Sequence, residues 1–292
     1  MRGRESSRTA EFMAVFRASE HARSSETRAF ADPFAAALLP GELRLAARLF
    51  RLRPVAAILN AYIDRRWPGA RTSGIARTWL IDDWIEETAD DVDQVVLLGA
   101  GFDTRAWRLD ALRSARIFEV DHPNTATVKQ QRLGSAHADL ARVTFLKVDF
   151  EVDDFAKSLC AAGFDTTRPA IVVWEGVSQY LTGEAVCAVM RWAGRLAPGS
   201  RFIFTYVHEG VLNGTVAFVG AEKAIAKVDG SGEPWRFGLL PEQLPAFLRE
   251  RGLELVDDLG ADEYRARVMG PESRNMRGYS FYHTACAEVP RA

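Results

Sequence analysis

The sequence predicts an α/β fold: a doubly wound, mostly parallel seven-stranded sheet with an N-terminal helical extension and an insertion after the fifth strand. Three observations carry that expectation. Between residues 92 and 206, short apolar runs of strand character alternate with helical patterns over short connections, the sequence signature of right-handed βαβ units. The first run, Val95–Leu98, passes directly into Gly99-Ala100-Gly101. Each of the first four runs ends in a glycine or a carboxylate, and open parallel sheets bind ligands beyond the carboxyl ends of their strands.

Taken in order, residues 8–87 read as several helices interrupted at Pro33, Pro40-Gly41, Pro54 and Pro68-Gly69. Residues 1–90 would form a helical cap over the ligand edge of the sheet, and 91–292 the core. Val95–Leu98 is continuously apolar, as a parallel strand buried on both faces requires. Gly99 and Gly101 tolerate positive φ and let a ligand approach the backbone, and Thr104 is placed to cap the next helix. A Gly-x-Gly alone is often just a tight turn, and Thr104 stands where the dinucleotide fingerprint has its third glycine. The second run, Ala115–Pro123, ends in Asp121, where a carboxylate meets ribose hydroxyls; a strand-end acid capping the helix near Asn124 reads equally well. A third strand, Val143–Val148, ends at Asp149-Phe150, a fourth, Ala170–Trp174, at Glu175-Gly176, and the fifth is Arg201–Tyr206. Residues 208–240 hold glycines and aromatics without a clear strand, which suits a lid over a substrate. A helix over Pro241–Arg251 and strands near Leu253–Asp257 and Tyr279–Ala287 close the sheet.

Composition narrows the function. The 292 residues carry a formal net charge of −2 with both signs mixed throughout, so the one-sided basic face of a nucleic-acid binder is missing. The N-terminus has no apolar leader core and no run of 18 apolar residues occurs, pointing to a soluble cytoplasmic protein without a membrane anchor. Cys160, Cys187 and Cys286 are odd in number and sit in apolar sequence, the pattern of buried thiols rather than a disulfide framework. The five histidines show no metal-ligand spacing, so no metal is expected.

Together the blocks Ser7–Glu20, Phe30-Ala-Asp-Pro33, Arg77-Thr78 through Asp82-Asp83, Leu98–Leu109, Phe118–Pro123 with Lys129, Val148-Asp-Phe150 and Trp174–Leu181 resemble the class I S-adenosylmethionine-dependent methyltransferases. Within them the chain is similar to the leucine carboxyl methyltransferase-like group, which includes many bacterial small-molecule enzymes. The acid that many class I enzymes place just before the first glycine is absent, Leu97 and Leu98 occupying that stretch, and this favours the same branch. The resemblance implies S-adenosyl-L-methionine as cofactor and S-adenosyl-L-homocysteine as product. It implies that Gly99, Ala100 and Gly101 line the methionine part, that Asp121 with neighbouring His122 meets the ribose, and that Asp149 and Phe150 frame the adenine. Glu175 and the Gly176 backbone would lie near the amino-acid end, and Arg77 would pair with the cofactor carboxylate. Arg17 has two readings, a second carboxylate partner or a solvated charge on an amphipathic helix.

The implied reaction is methyl transfer to a small-molecule or peptide acceptor, a carboxylate before a phenol or other hydroxyl. A carboxylate is ionised at neutral pH and needs no base, whereas a phenol wants one. Tyr180, Tyr206 and His208 fall near the ends of strands four and five as acceptor contacts or bases; each also reads as packing or a helix cap. Trp174, Trp235, Phe218 and Phe237 read as an aromatic wall or as core. Arg105 reads as a helix-start ion pair with Asp103 or Asp121, and Arg265, Arg267 and Arg274 as acceptor clamps or a solvated face. A nicotinamide-dependent oxidoreductase would keep the glycines and Asp121, but the missing third glycine and the Asp149 and Glu175 blocks weigh against it. A cofactor-binding regulatory protein without turnover would share the fold.

Overall fold

The computed structural model describes residues 8–150, 153–230, 232 and 234–291; Met1–Ser7, which include the start of the first resemblance block, and Ser231 and Glu233 of the insertion lie outside the described residues. Helices α1 (Arg8–His21), α2 (Gly41–Leu49), α3 (Arg53–Arg66) and α4 (Ala70–Thr88) precede the sheet. Pro54 does not break a helix but sits in the first turn of α3, where its missing N–H has no partner to lose.

Strands β1 (Gln94–Leu98), β2 (Arg116–Asp121), β3 (Val143–Lys147), β4 (Ile171–Trp174), β5 (Arg201–Val207), β6 (Glu254–Gly260) and β7 (Tyr282–Glu288) form one sheet in the order β3-β2-β1-β4-β5-β7-β6. The first five are parallel, and β7 runs antiparallel to both its neighbours. The order reverses direction between β1 and β4, so the crevice beyond their carboxyl ends is the place this topology offers a ligand. All five β1 residues are buried, as a strand covered on both faces demands.

The period of two sorts the strands into two cores. Val96, Leu98, Phe118 and Val120 face α7 (Phe155–Ala161), α8 (Gly183–Ala193) and α11 (Leu244–Arg249). Val95, Leu97, Ile117 and Val173 face α4 and α12 (Ala261–Met269). The helix expected over Pro241–Arg251 is a short 3-10 turn at Pro241–Gln243 followed by α11.

Helix α12 was not legible in the sequence. Its start is closed by Glu263, whose Oε2 accepts from the Gly260 N–H at 2.7 Å, and it packs along α4. This corrects both readings of Arg265, which is 1% exposed, donates to the Gly278 carbonyl at 2.6 Å and pairs with Asp262. Arg267 pairs with Asp83 and Asp257, and Arg274 is exposed. The insertion contains α9 (Glu209–Leu212) and α10 (Ala221–Gly230), and one parallel bridge joins His208 to Leu239. Cys286 is buried, but Cys160 is exposed, against the expectation for that thiol. No described helix is long and apolar enough to cross a membrane.

Between β2 and α6 (Pro123–Ser135) lies a buried ion pair, Lys129 Nζ to Glu119 Oε2 at 2.7 Å. Burial outweighs the lysine's attraction and pushes the Glu119 carboxyl up to about 7. Such a pair contributes little net stability, yet removing one partner strands the other's charge. Lys129→Met is therefore expected to destabilise the protein by about 3–5 kcal/mol in urea denaturation. The double variant Glu119→Leu/Lys129→Met should regain most of that loss; a double variant as unstable as the single one would contradict this account.

Candidate cofactor and acceptor site

A cavity of about 640 Å³ opens beyond the carboxyl ends of β1, β2 and β4 and is roofed by α1, the start of α4 and α10. The glycine turn after β1 forms its floor. Gly99 has φ +63° and Gly101 +48°, and a Cβ on Gly99 would collide with Val177. The turn's amides are already engaged: those of Gly99 and Ala100 donate to the Val120 carbonyl, and that of Gly101 to Asp121 Oδ2 at 2.5 Å.

Asp121 ends β2 and is held by a second amide, His122 N–H, at 2.6 Å. Burial raises its pKa above the ordinary aspartate value, and the two amides only partly offset this. Other carboxylates of this region face a cation: Asp32 pairs with Arg17 at 2.8 Å, Asp82 with Arg105 at 2.7 Å, and Glu175 with Arg77 at 2.9 Å. Asp121 makes no ion pair among the described residues. It does not cap α6 either. That cap is His122, whose Nδ1 accepts from the Asn124 N–H.

The amino-acid end expected around Glu175 contains a buried network of alternating charge. Arg105, 2% exposed, bonds Asp82, Asp103 and Glu175, the last at 2.8 Å. Burial alone would raise the Glu175 pKa, but Arg105 and Arg77 beside it hold the carboxyl below its usual range. Asp103 is held lower still by Arg105 against the same desolvation. Arg105 thus pairs with Asp103 and not Asp121, and it is a buried junction rather than an exposed helix-start pair. Thr104 offers no cap; its hydroxyl donates to Asp32 at 2.7 Å.

Of the residues singled out from the sequence, Arg17, Arg77, Gly99, Ala100, Gly101, Asp121, His122, Asp149, Phe150, Glu175, Gly176 and Tyr180 all line this cavity. Arg17 is buried, its guanidinium shared between Asp32 and the Phe102 carbonyl, so the solvated reading fails. Tyr206 and His208 do not line the cavity. The Tyr206 hydroxyl donates to Asp258 at 2.7 Å in a fully buried setting, and burial with that carboxylate lifts its pKa far above an ordinary phenol's. His208 caps α9 through Nδ1, and burial lowers its pKa. Trp174 is core, Phe218 lies tilted against His208 and edge-on to Phe281, and Phe237 packs on Phe247; of the expected aromatic wall only Trp235 lines the cavity.

Sequence reasoning missed Phe12, Trp67, Asp103, Gln179, Lys227, Tyr279 and Tyr282, which also line it. The guanidinium of Arg77 lies 4.7 Å from the Tyr282 ring centre, and the Tyr282 hydroxyl accepts from Gln179 Nε2 at 2.9 Å. Tyr279 adopts φ +63°, costly for a bulky residue. Phe12, Asp103 and Gln179 lay within quoted motifs but were given no cofactor role there; Trp67 reaches the cavity from the α3–α4 turn, Lys227 from α10, and Tyr279 and Tyr282 from the approach to and start of β7, at no fixed spacing.

Residues 10–194 match the family model described as leucine carboxyl methyltransferase. A protein of Frankia alni named "putative S-adenosyl-L-methionine-dependent methyltransferase" is 37% identical over 151 residues, covering 51% of this chain and 52% of that protein. A protein of the same name from Streptomyces coelicolor is 35% identical over 199 residues, covering 65% and 69%. The chain thus spans about half the length of the Frankia relative and about two thirds of the Streptomyces one. Among solved structures, a Thermobifida fusca protein titled "putative methyltransferase" superposes with TM-score 0.59 at 20% identity, over 81% of this chain and 89% of its own. A duf574 family protein of Streptomyces avermitilis gives 0.58 at 15% identity, over 81% and 91%. These two share the fold. With its glycine turn, strand-end acids and family match over 10–194, this chain belongs to the leucine carboxyl methyltransferase family.

Proposed function

We propose that the protein is an S-adenosyl-L-methionine-dependent methyltransferase that esterifies a carboxylate of a small molecule or peptide. The observation carrying the cofactor reading is Asp121: a half-buried carboxylate fixed by two backbone amides, facing a cavity and paired with no cation among the described residues. Its remaining lone pairs suit two neighbouring hydroxyls, the pattern a ribose presents. Phe150 and Asp149 flank the same rim, as an adenine would require. Arg77 and Arg17 offer guanidinium edges to the cofactor carboxylate, and Glu175 with the Gly176 backbone its ammonium. The cofactor, when bound, supplies a methyl group on cationic sulfur that is already activated for in-line transfer.

The acceptor reading rests on what the wall contains. Among the described lining residues, the one histidine, His122, is committed to capping α6, and Tyr206 and His208 lie elsewhere. A carboxylate acceptor is already ionised near pH 7 and asks for no base. Lys227 of α10 lines the cavity 4.8 Å from the Phe12 ring centre and pairs with no acid among the described residues. It supplies the cation that orients an anionic acceptor, while the apolar roof excludes water.

Calorimetry with S-adenosyl-L-homocysteine tests the cofactor half. Asp121→Ala is expected to weaken binding by roughly ten- to a hundredfold, the worth of hydrogen bonds to a charged group; unchanged affinity would sink the assignment. Because burial raises the Asp121 pKa, the ionised form that accepts both hydroxyls is lost on acidification earlier than for an exposed aspartate. Wild-type affinity should accordingly fall as pH is lowered through the upper carboxylate range, and the Asp121→Ala protein should lack that limb. For the acceptor half, a panel of carboxylic acids is assayed for methyl esters. Lys227→Met should raise KM with cofactor affinity unaltered, and Tyr206→Phe and His208→Ala should leave kcat as it is. Methylation of phenols alone, lost with His208, would reverse that reading.

A further inference from the structure

Away from the cavity, the outer side of α2 and α3 carries a concentration of exposed apolar side chains. Among the described residues eight large hydrophobic side chains are exposed, and five of them, Leu45, Leu49, Leu52, Ile58 and Tyr62, belong to these two helices and their connection. Scattered single exposures are ordinary, but a cluster rimmed by polar groups marks a surface that something else covers. Ile58 is 70% exposed and Tyr62 63%, so neither packs into the core.

The spacing puts these residues on one side of each helix. Leu45 and Leu49 stand one turn apart, opposite Leu43, Ala47 and Phe50, which pack into the core beneath. In α3, Ile58, Tyr62 and Arg65 follow at i, i+4 and i+7, while Ala56, Leu59 and Ile63 turn inward to the same core. Helix α3 has no fully buried residue along its length.

The charge points to the occupant. Residues 41–66 hold six arginines and two acids, a local charge of +4 in a chain whose net charge is −2. One of those acids, Asp64, is already paired with Arg71. Arg48, Arg51, Arg53, Arg65 and Arg66 are exposed and pair with no acid among the described residues. A second copy docked on the same face would set these arginines against their own kind, which opposes association. An anionic bilayer accepts both features: apolar side chains enter the headgroup boundary while arginines meet lipid phosphates, and the fluid surface needs no matching groove. Such attachment lies along the membrane and requires no spanning helix.

We propose that the outer face of α2 and α3 is a peripheral docking surface for an anionic lipid bilayer. This inference goes beyond the methyl-transfer reading and does not depend on it. Helix α3 runs directly into Trp67, which lines the cavity, so the docking face and the acceptor space adjoin along the chain.

The test is sedimentation of the whole chain with vesicles of phosphatidylcholine alone, or of phosphatidylcholine and phosphatidylglycerol in equal parts. Binding to the anionic vesicles only is expected, weakening as salt screens the arginines. Arg48→Gln/Arg53→Gln/Arg65→Gln and Leu45→Ser/Ile58→Ser/Tyr62→Ser should each weaken it by about tenfold or more, with the thermal melting point unchanged because every altered side chain is exposed. Arg191→Gln/Arg249→Gln/Arg274→Gln, which removes the same charge from exposed positions elsewhere, should bind like wild type. The proposal is overturned by absence of binding to anionic vesicles, by equal binding to both compositions, by wild-type binding of either face variant, or by equal weakening in the control variant. A dimer in light scattering that the serine variant abolishes, without vesicle binding, would instead assign the face to a second copy and overturn the lipid assignment.

Discussion

The site depends on one buried guanidinium. Arg105 leaves the glycine turn and reaches three carboxylates on three separate elements: Asp82 on α4, Asp103 in the turn itself and Glu175 at the end of β4. Arg77 and Arg108 complete the charge balance, giving three arginines against three acids. In a low-dielectric interior such a network is stable only when every member is satisfied, so the relative positions of helix, turn and strand are coupled. The cavity keeps its shape because the elements around it share charges, in addition to burying apolar surface.

That coupling explains the division of labour around the cavity. The strand ends supply fixed groups: the glycine turn, Asp121, Glu175. The roof comes from α1 and α10, whose contributions are mostly apolar or aromatic, such as Phe12 and Val228, apart from Thr9, Arg17 and Lys227. Rigid scaffold on one side and variable cover on the other is how one fold serves many substrates.

The sheet was legible because its first five strands are short runs of strand character, the first four closed by a glycine or a carboxylate, and the observed strands lie within about two residues of the expected ones. The cofactor-side candidates were legible for the same reason, since residues fixed at strand ends inherit the sheet's regularity. What was hidden lacks a local signal. Helix α12 is short and its buried face, Ala261, Tyr264 and Arg265, includes a charge, so no clean apolar stripe announced it; its partner is α4, far away in sequence. Tyr206 and His208 misled because proximity to a strand end in sequence does not say which face the side chain takes. Tyr206 follows the alternation into the core beside Phe202 and Phe204, and His208 spends its nitrogen on a helix start. Arg105 misled because a charged residue beside an acid reads as surface, and only the fold reveals that α4 buries it.

The glycine turn has a consequence for ligand choice. In phosphate-binding loops the free amides are the anion's ligands. Here the three amides of Gly99, Ala100 and Gly101 are all consumed by Val120 and Asp121, and Asp103, Asp121 and Glu175 stand around them. A pyrophosphate entering this crevice would meet carboxylates and find no vacant donor in the turn, losing its hydration without compensation. The same backbone bonds that shape the floor therefore leave no amide of the Gly99–Gly101 turn vacant for a dinucleotide's pyrophosphate.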